Sequence, residues 1–334
     1  MKKVLFATTA LVASAGFAAA EITFSGYGEM GVVGGGDNST GFSGGETQFH
    51  NDLMLKFSAT TETDMGITVG VSTEIQKAEG EANGNFAADN TAMFISGAFG
   101  TLTMGEIDGA MDFRLTENIG NPGTIGDDET IHAGYLGGYG DGAYDNQILR
   151  YDYNFGDFGF SASMELDDTG ALDDGYALGV SYKTSMTGVD IGLGLAYQTF
   201  EQDGTYLPGN IGNFTVATPF AAGDVDVWGV SATADFQNGF VAGLAYSDWN
   251  FPGAVDADHI GLSMGYSINA WSFGVNWGQF DVDTVGKIKG YGLAVAYDLG
   301  GGASVHLGYG DSDGPTGVIA DDVETWSFGV AMSF

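Results

Sequence analysis

Two G-x-S-x-G stretches, Gly41-Phe42-Ser43-Gly44-Gly45 and Gly261-Leu262-Ser263-Met264-Gly265, have the spacing that lets a strained strand-to-helix turn present a serine nucleophile. The first lies in a polar loop and the second inside an alternating strand pattern, and with 57 glycines in the chain such matches arise by chance. Ser263 and His259 stand on one side of that strand but about 13 Å apart along it, too far for a proton to pass directly. The four histidines, His50, His132, His259 and His306, have no zinc-ligand spacing, and there is no Walker-type loop. An enzyme is therefore not expected. The remaining chemistry belongs to carboxylates, 44 Asp and Glu against 9 Lys and Arg. Asp127-Asp128-Glu129 gathers hard oxygen donors of the kind calcium takes, as do Asp311 with Asp313 and Asp321 with Asp322. None follows the twelve-residue EF-hand loop, and solvated acid clusters are the plainer reading.

That acidity excludes function classes. A formal charge of -35 gives no general field for nucleic acid or an anionic surface. Disorder is excluded as well, because 44% of the residues are hydrophobic and 13% aromatic. Cysteine is absent, so disulfides do not stabilise the chain. Only 5 prolines interrupt what can be long hydrogen-bonded ladders.

Lys2 and Lys3 precede an apolar stretch over 4–12 and a small-residue run ending Ala18-Ala19-Ala20, which reads as a secretory signal peptide over 1–20 cleaved before Glu21. Its removal, with two lysines and no acid, takes the formal charge from -35 to -37. Beyond it no run of about 18 apolar residues occurs, so transmembrane helices are not expected.

The elements that must position any site are strands. Trp326, Phe328, Val330, Met332 and Phe334 share one parity, with Thr325, Ser327, Gly329, Ala331 and Ser333 on the other. The same alternation returns at 53–59, 67–75, 149–155, 176–182, 189–197, 260–266, 271–277, 291–297 and 303–309, and no helix of comparable length is found. Parity is ambiguous at 92–99 and 224–236. Tight connectors (62–66, 156–159, 185–188, 238–239, 269–270, 299–302) alternate with long polar ones (34–48, 78–90, 109–146, 166–175, 201–223, 250–258, 312–322). The polar parity is mostly Gly, Ser, Thr and Ala, unlike the charged face of a sandwich or propeller in water. Aromatics near strand ends, Tyr27, Phe57, Tyr182, Tyr197, Tyr246, Trp271, Tyr297 and Trp326, suit interfacial girdles. These features predict one all-β domain over 21–334, a transmembrane antiparallel β-barrel of about sixteen strands. A secreted calcium-binding β-helix would need nonapeptide repeats, and there are none.

Gly97-Ala98-Phe99-Gly100-Thr101-Leu102-Thr103-Met104-Gly105 resembles the strand turn that enters the constriction loop of bacterial general porins, and Tyr297-Asp298-Leu299-Gly300-Gly301-Gly302-Ala303-Ser304 resembles a turn typical of alphaproteobacterial porins. The resemblance implies a trimeric sixteen-stranded diffusion channel of the Gram-negative outer membrane, embedded in lipid and lipopolysaccharide and passing small hydrophilic solutes and ions. It implies that 109–146 folds into the barrel as an eyelet, with Asp108, Asp112, Glu117, Asp127, Asp128, Glu129 and Asp141 facing a basic wall. This chain departs there. Glu106 stands where general porins commonly carry arginine, and parity sends only Lys56, Arg150 and Lys183 to the lumen, with His50 and His306. Lys56 and Arg150 either screen solutes or simply pair with Asp52 and Asp152. The carboxylate excess predicts a cation-preferring pore. No cofactor is required on this reading, and calcium at Asp127, Asp128 and Glu129 is the candidate metal. The resemblance also implies that the Glu21 amine pairs with the terminal carboxylate of Phe334 as the first and last strands close the barrel. The alternatives are a solute-specific channel of the same fold and a barrel-embedded outer-membrane hydrolase.

Overall fold

Alternating apolar and small polar residues can satisfy their backbone in a membrane only if every strand has two neighbours, and the chain meets that condition by closing on itself. The structure, a computed structural model, describes residues 21–36, 46–77, 85–125, 130, 132–204, 221–253, 255–283, 285–315 and 323–334. Sixteen strands form one closed antiparallel barrel in which each pairs with its sequence neighbours and the first pairs with the last. They are β1 (Glu21–Gly35), β2 (Gln48–Glu62), β3 (Thr68–Lys77), β4 (Phe86–Gly97), β5 (Gly100–Gly105), β6 (Ile148–Phe155), β7 (Phe158–Glu165) and β8 (Gly175–Met186), followed by β9 (Val189–Gln202), β10 (Gly223–Asp235), β11 (Phe240–Phe251), β12 (Val255–Ile268), β13 (Trp271–Val282), β14 (Gly286–Gly300), β15 (Ala303–Asp313) and β16 (Val323–Ser333). The fold class read from the sequence is the one observed.

The two ambiguous strands have different physical causes. In β4 the register shifts between Ser72 and Glu74 of its partner, so Ala92, Phe94 and Ser96 share a face with Asp89 across a change of parity. In β10 the inward residues Val225 and Val227 are fully buried while Asp224 and Asp226 point outward at the long-loop end, inverting the expected pattern. The loop span read at 250–258 is mostly strand, since β11 runs to Phe251 and β12 resumes at Val255. The short connector at 283–285, absent from the sequence reading, joins β13 to β14.

Outward residues carry the aromatic girdles. Trp271 lies 4.7 Å from Tyr297 between ring centroids and Tyr197 lies 4.6 Å from Trp228. Tyr27 is not among them. It faces the lumen with its hydroxyl donating to Glu29, because its parity is opposite to that of the exposed Phe24 and Met30.

Closure uses Phe334, but not with the expected partner. Gly26 N donates to Phe334 O at 2.7 Å and Phe334 N to Gly26 O at 2.9 Å. Glu21 is opposite Thr60 of β2, five positions before Gly26, so it is roughly 17 Å from the Phe334 pairing site at 3.4 Å per residue. The register therefore does not bring Glu21 to the terminal carboxylate.

Candidate functional site

The connector between β5 and β6 turns inward instead of outward. Its first turn is a helix, α1 (Ala110–Arg114), too short for the sequence periodicity to reveal. From there the chain travels around the inner wall, held by small polar residues of the strands. Ser163 Oγ accepts from Ala110 N at 2.8 Å, Ser231 Oγ from Thr116 N at 3.1 Å, and Ser263 Oγ from Ile119 N at 2.9 Å. Gly123 O bonds His306 Nδ1 at 2.9 Å, and Ile125 reaches Gly31 and Gly329 at the β1–β16 seam. The returning limb bonds Ser312 through Ala133 N at 2.9 Å, His259 through Gly134 O at 3.0 Å and Gln198 through Gly140 N at 3.0 Å. Glu165 then accepts from the backbone N–H groups of Gly142, Tyr144 and Asn146. At Gly278 a Cβ would lie 1.9 Å from Gly134 O, so only glycine admits the loop there.

Much of the small polar face that the sequence presents as a wet lumen surface is thus the seat of the loop. Met111, Leu115, Ala133, Leu136 and Tyr139 of the loop pack with Phe200, Val225, Val227, Trp249 and Phe280 of the wall in one buried cluster. The Tyr139 ring lies nearly parallel to Trp249, and Trp249 to Phe251, with centroids 6.0 and 6.1 Å apart. This half of the lumen is a dry core. On the opposite side the inward Lys56, Ser58, Ser72, Thr101 and Thr103 of β2, β3 and β5 keep partial exposure.

The cations expected on that wall are paired. Lys56 Nζ lies 2.7 Å from Glu74 Oε1, directly across the β2–β3 ladder, and not against Asp52. Asp52 instead accepts from Leu53 N at 2.6 Å. Arg150 Nε reaches Asp152 Oδ2 at 3.0 Å, its Nη1 donates to Asp108 O, and its guanidinium lies 3.6 Å over the Phe113 ring. The other face of this arrangement is Arg114, which the sequence reading passed over because it is on the loop and not on a strand. Its Nε donates to Ser161 Oγ at 2.7 Å, Nη2 to Phe160 O at 2.8 Å and Nη1 to Ser181 Oγ at 3.3 Å, and Nη2 is 3.8 Å from Asp152 Oδ1. The signal for it was scarcity, since Arg114 and Arg150 are the only arginines in the chain. Lys183 is exposed on β8, near its short-turn end.

The loop carboxylates divide. Asp108 is exposed and Asp112 partly so, at the start of α1. Glu117 lies between the anchored Thr116 and Ile119. Its carboxyl is enclosed against the Tyr139 hydroxyl and the Gly137 N–H, and burial, with the nearby Asp141 carboxylate, pushes it up to about 7. Asp141 accepts from Gly109 N at 2.5 Å and Gln198 Nε2 at 2.9 Å, and burial raises it to about 6. Burial also pushes the His132 imidazole down to about 3, leaving it neutral. Asp127, Asp128 and Glu129 lie outside the described residues, and among the described residues no cluster of three or more His, Asp or Glu is placed for a metal ion.

Ser263 and His259 both face inward and both are taken up in holding the loop, which removes the lipid-facing serine hydrolase alternative. The profile of the Gram-negative porins matches residues 7–317. A porin of Rhodobacter capsulatus is 26% identical over 318 residues, spanning 91% of this chain and 98% of its own length, and one from Fuscovulum blasticum is 25% identical over 301 residues, spanning 85% and 92%. A refined porin structure superposes with a TM-score of 0.67 at 24% identity, covering 94% of this chain and all of the other, and a mutant Rhodopseudomonas blastica porin does so at 0.64 and 22% over the same shares. A closed sixteen-stranded barrel, narrowed by its own inward loop and matched along nearly its whole length, belongs to the Gram-negative porin family, whose members are outer-membrane channels without catalytic activity.

Proposed function

We propose that the chain is a cation-preferring channel for passive diffusion of small hydrophilic solutes and ions, assembled as a homotrimer in the outer membrane after removal of residues 1–20. The observation that carries the preference is the fate of the two arginines. Both are largely covered and share Asp152, so neither offers a free guanidinium to an anion. The inward face of β1–β4 bears the partly exposed Asp52 and Asp89 and the buried Glu29 and Glu74 against Lys56 alone among its lysines and arginines, which makes that wall net negative. Such a wall concentrates cations within a Debye length, about 10 Å at 0.1 M salt.

The test is reconstitution of the mature protein in a planar bilayer under a potassium chloride gradient. A reversal potential of the cation-selective sign, with openings arriving in threes, is expected. A reversal potential at zero or of anionic sign refutes the preference, and single isolated steps refute the trimer. Liposome swelling in neutral sugars of graded size separates general diffusion, where rate falls smoothly with size, from a solute-specific channel, where one sugar class stands apart.

A further inference from the structure

We propose that Arg114 is a latch. It fixes the helical start of the constriction loop to the wall at β6–β8, and so sets the position of the eyelet edge instead of screening solutes by its charge. This rests on the channel reading only for its consequence, not for its geometry.

One guanidinium spans three strands. Its three nitrogens meet the Ser161 hydroxyl and the Phe160 carbonyl on β7 and the Ser181 hydroxyl on β8, with Asp152 of β6 at 3.8 Å. Asp152 is oriented for this by the Ser161 hydroxyl, which donates to its Oδ1 at 2.5 Å, while its Oδ2 takes Arg150. The planar fork of arginine suits such a set of fixed acceptors, and an ammonium does not reproduce it. The wall is cut away to receive it. A Cβ at Gly159 would lie 2.1 Å from Arg114 Nη1, and one at Gly179 would lie 2.8 Å from Arg114 Cβ and 2.4 Å from Ala110 O. Phe113 couples the latch to Arg150, since the guanidinium carbons of Arg114 and Arg150 are 5.0 and 3.6 Å from its ring centre. In the latch itself the cation is on the loop and its carboxylate on the wall, beside the wall cation Arg150.

The experiment is hydrogen exchange on the folded full-length barrel in detergent, with bilayer currents on the same preparations. Arg114→Gln, Arg114→Lys and Asp152→Asn are each expected to speed exchange in residues 109–116 by roughly tenfold or more, as expected for loss of charge-assisted bonds. Exchange in 240–251 stays at the wild-type rate. All three variants also raise open-channel current noise. A purely electrostatic role predicts otherwise, with Arg114→Gln and Asp152→Asn shifting the reversal potential in opposite directions and Arg114→Lys behaving as wild type. That result, or unchanged exchange over 109–116 in Arg114→Gln, overturns the latch. If the charge variants do not fold, Ser161→Ala and Ser181→Ala remove single acceptors and read the same exchange with the same two outcomes. Because exchange needs no current, a silent wild-type bilayer would refute the channel and leave the latch decided on its own terms.

Discussion

Glu117→Gln is expected to stabilise the protein at alkaline pH and to leave it nearly unchanged in acid. The carboxyl is enclosed between the limbs of the loop, against the Tyr139 hydroxyl and the Gly137 N–H, and the Asp141 carboxylate pushes it further up. Raising a carboxyl from 4.5 to about 7 corresponds to about 3 kcal/mol between its protonated and ionised forms. The folded state binds this proton more tightly than the unfolded chain. The stabilisation is therefore complete below pH 4.5 and is lost as pH rises through about 7. Asp141, raised from 3.8 to about 6, adds a loss of the same sign at lower pH. An amide at position 117 carries no charge at any pH, so the variant should exceed the wild type by up to about 3 kcal/mol above pH 7 and match it near pH 4.5. Thermal unfolding in detergent at half-unit steps from pH 4.5 to 8.5 measures this. A difference between variant and wild type that does not change with pH refutes the reasoning, and so does a variant less stable at pH 8.

Other perturbations test the seat of the loop and the seam. Trp249→Ala removes the ring stacked on Tyr139 and should cost about 3 to 5 kcal/mol, read in the same melts. Gly278→Ala sets a methyl group against Gly134 O, pushing the returning limb toward the channel; single-channel conductance should fall, with about 1 to 3 kcal/mol of destabilisation. Deleting Phe334 removes both backbone bonds to Gly26 and should slow barrel assembly, measured by folding into lipid vesicles. Lys56→Gln frees Glu74 and should shift the reversal potential further toward cations; no shift would make the pair purely structural.

The barrel was legible because lipid imposes one rule on every strand, and Trp326 to Phe334 displays it without interruption up to the last residue. The constriction at 109–146 came from the family resemblance, and its Leu115, Leu136 and Tyr139 are what pack it against the wall. What failed had a common cause. Period two assigns a face but does not say what covers that face, so Ser263 reads as facing a wet lumen when it holds the loop, and Val225 and Val227 confuse the parity of β10 because the loop makes part of the lumen apolar. The seam failed differently. Parity places Glu21 and Phe334 on neighbouring strands but leaves open the sliding of one against the other, which the ladder fixes at Gly26.

The charges extend that argument to function. Counting cations by strand parity finds Lys56, Arg150 and Lys183 and omits Arg114, yet Arg114 and Arg150 share Asp152 and frame Phe113 as one unit. With the pair treated as free, the wall would attract anions. Both guanidiniums are engaged by one carboxylate, two serines, backbone carbonyls and a ring, so the proposed cation preference rests on the exposed Asp108 and the partly exposed Asp52 and Asp89. On the proposed reading, a chain with few cations would owe its selectivity to where the two arginines are held more than to their number.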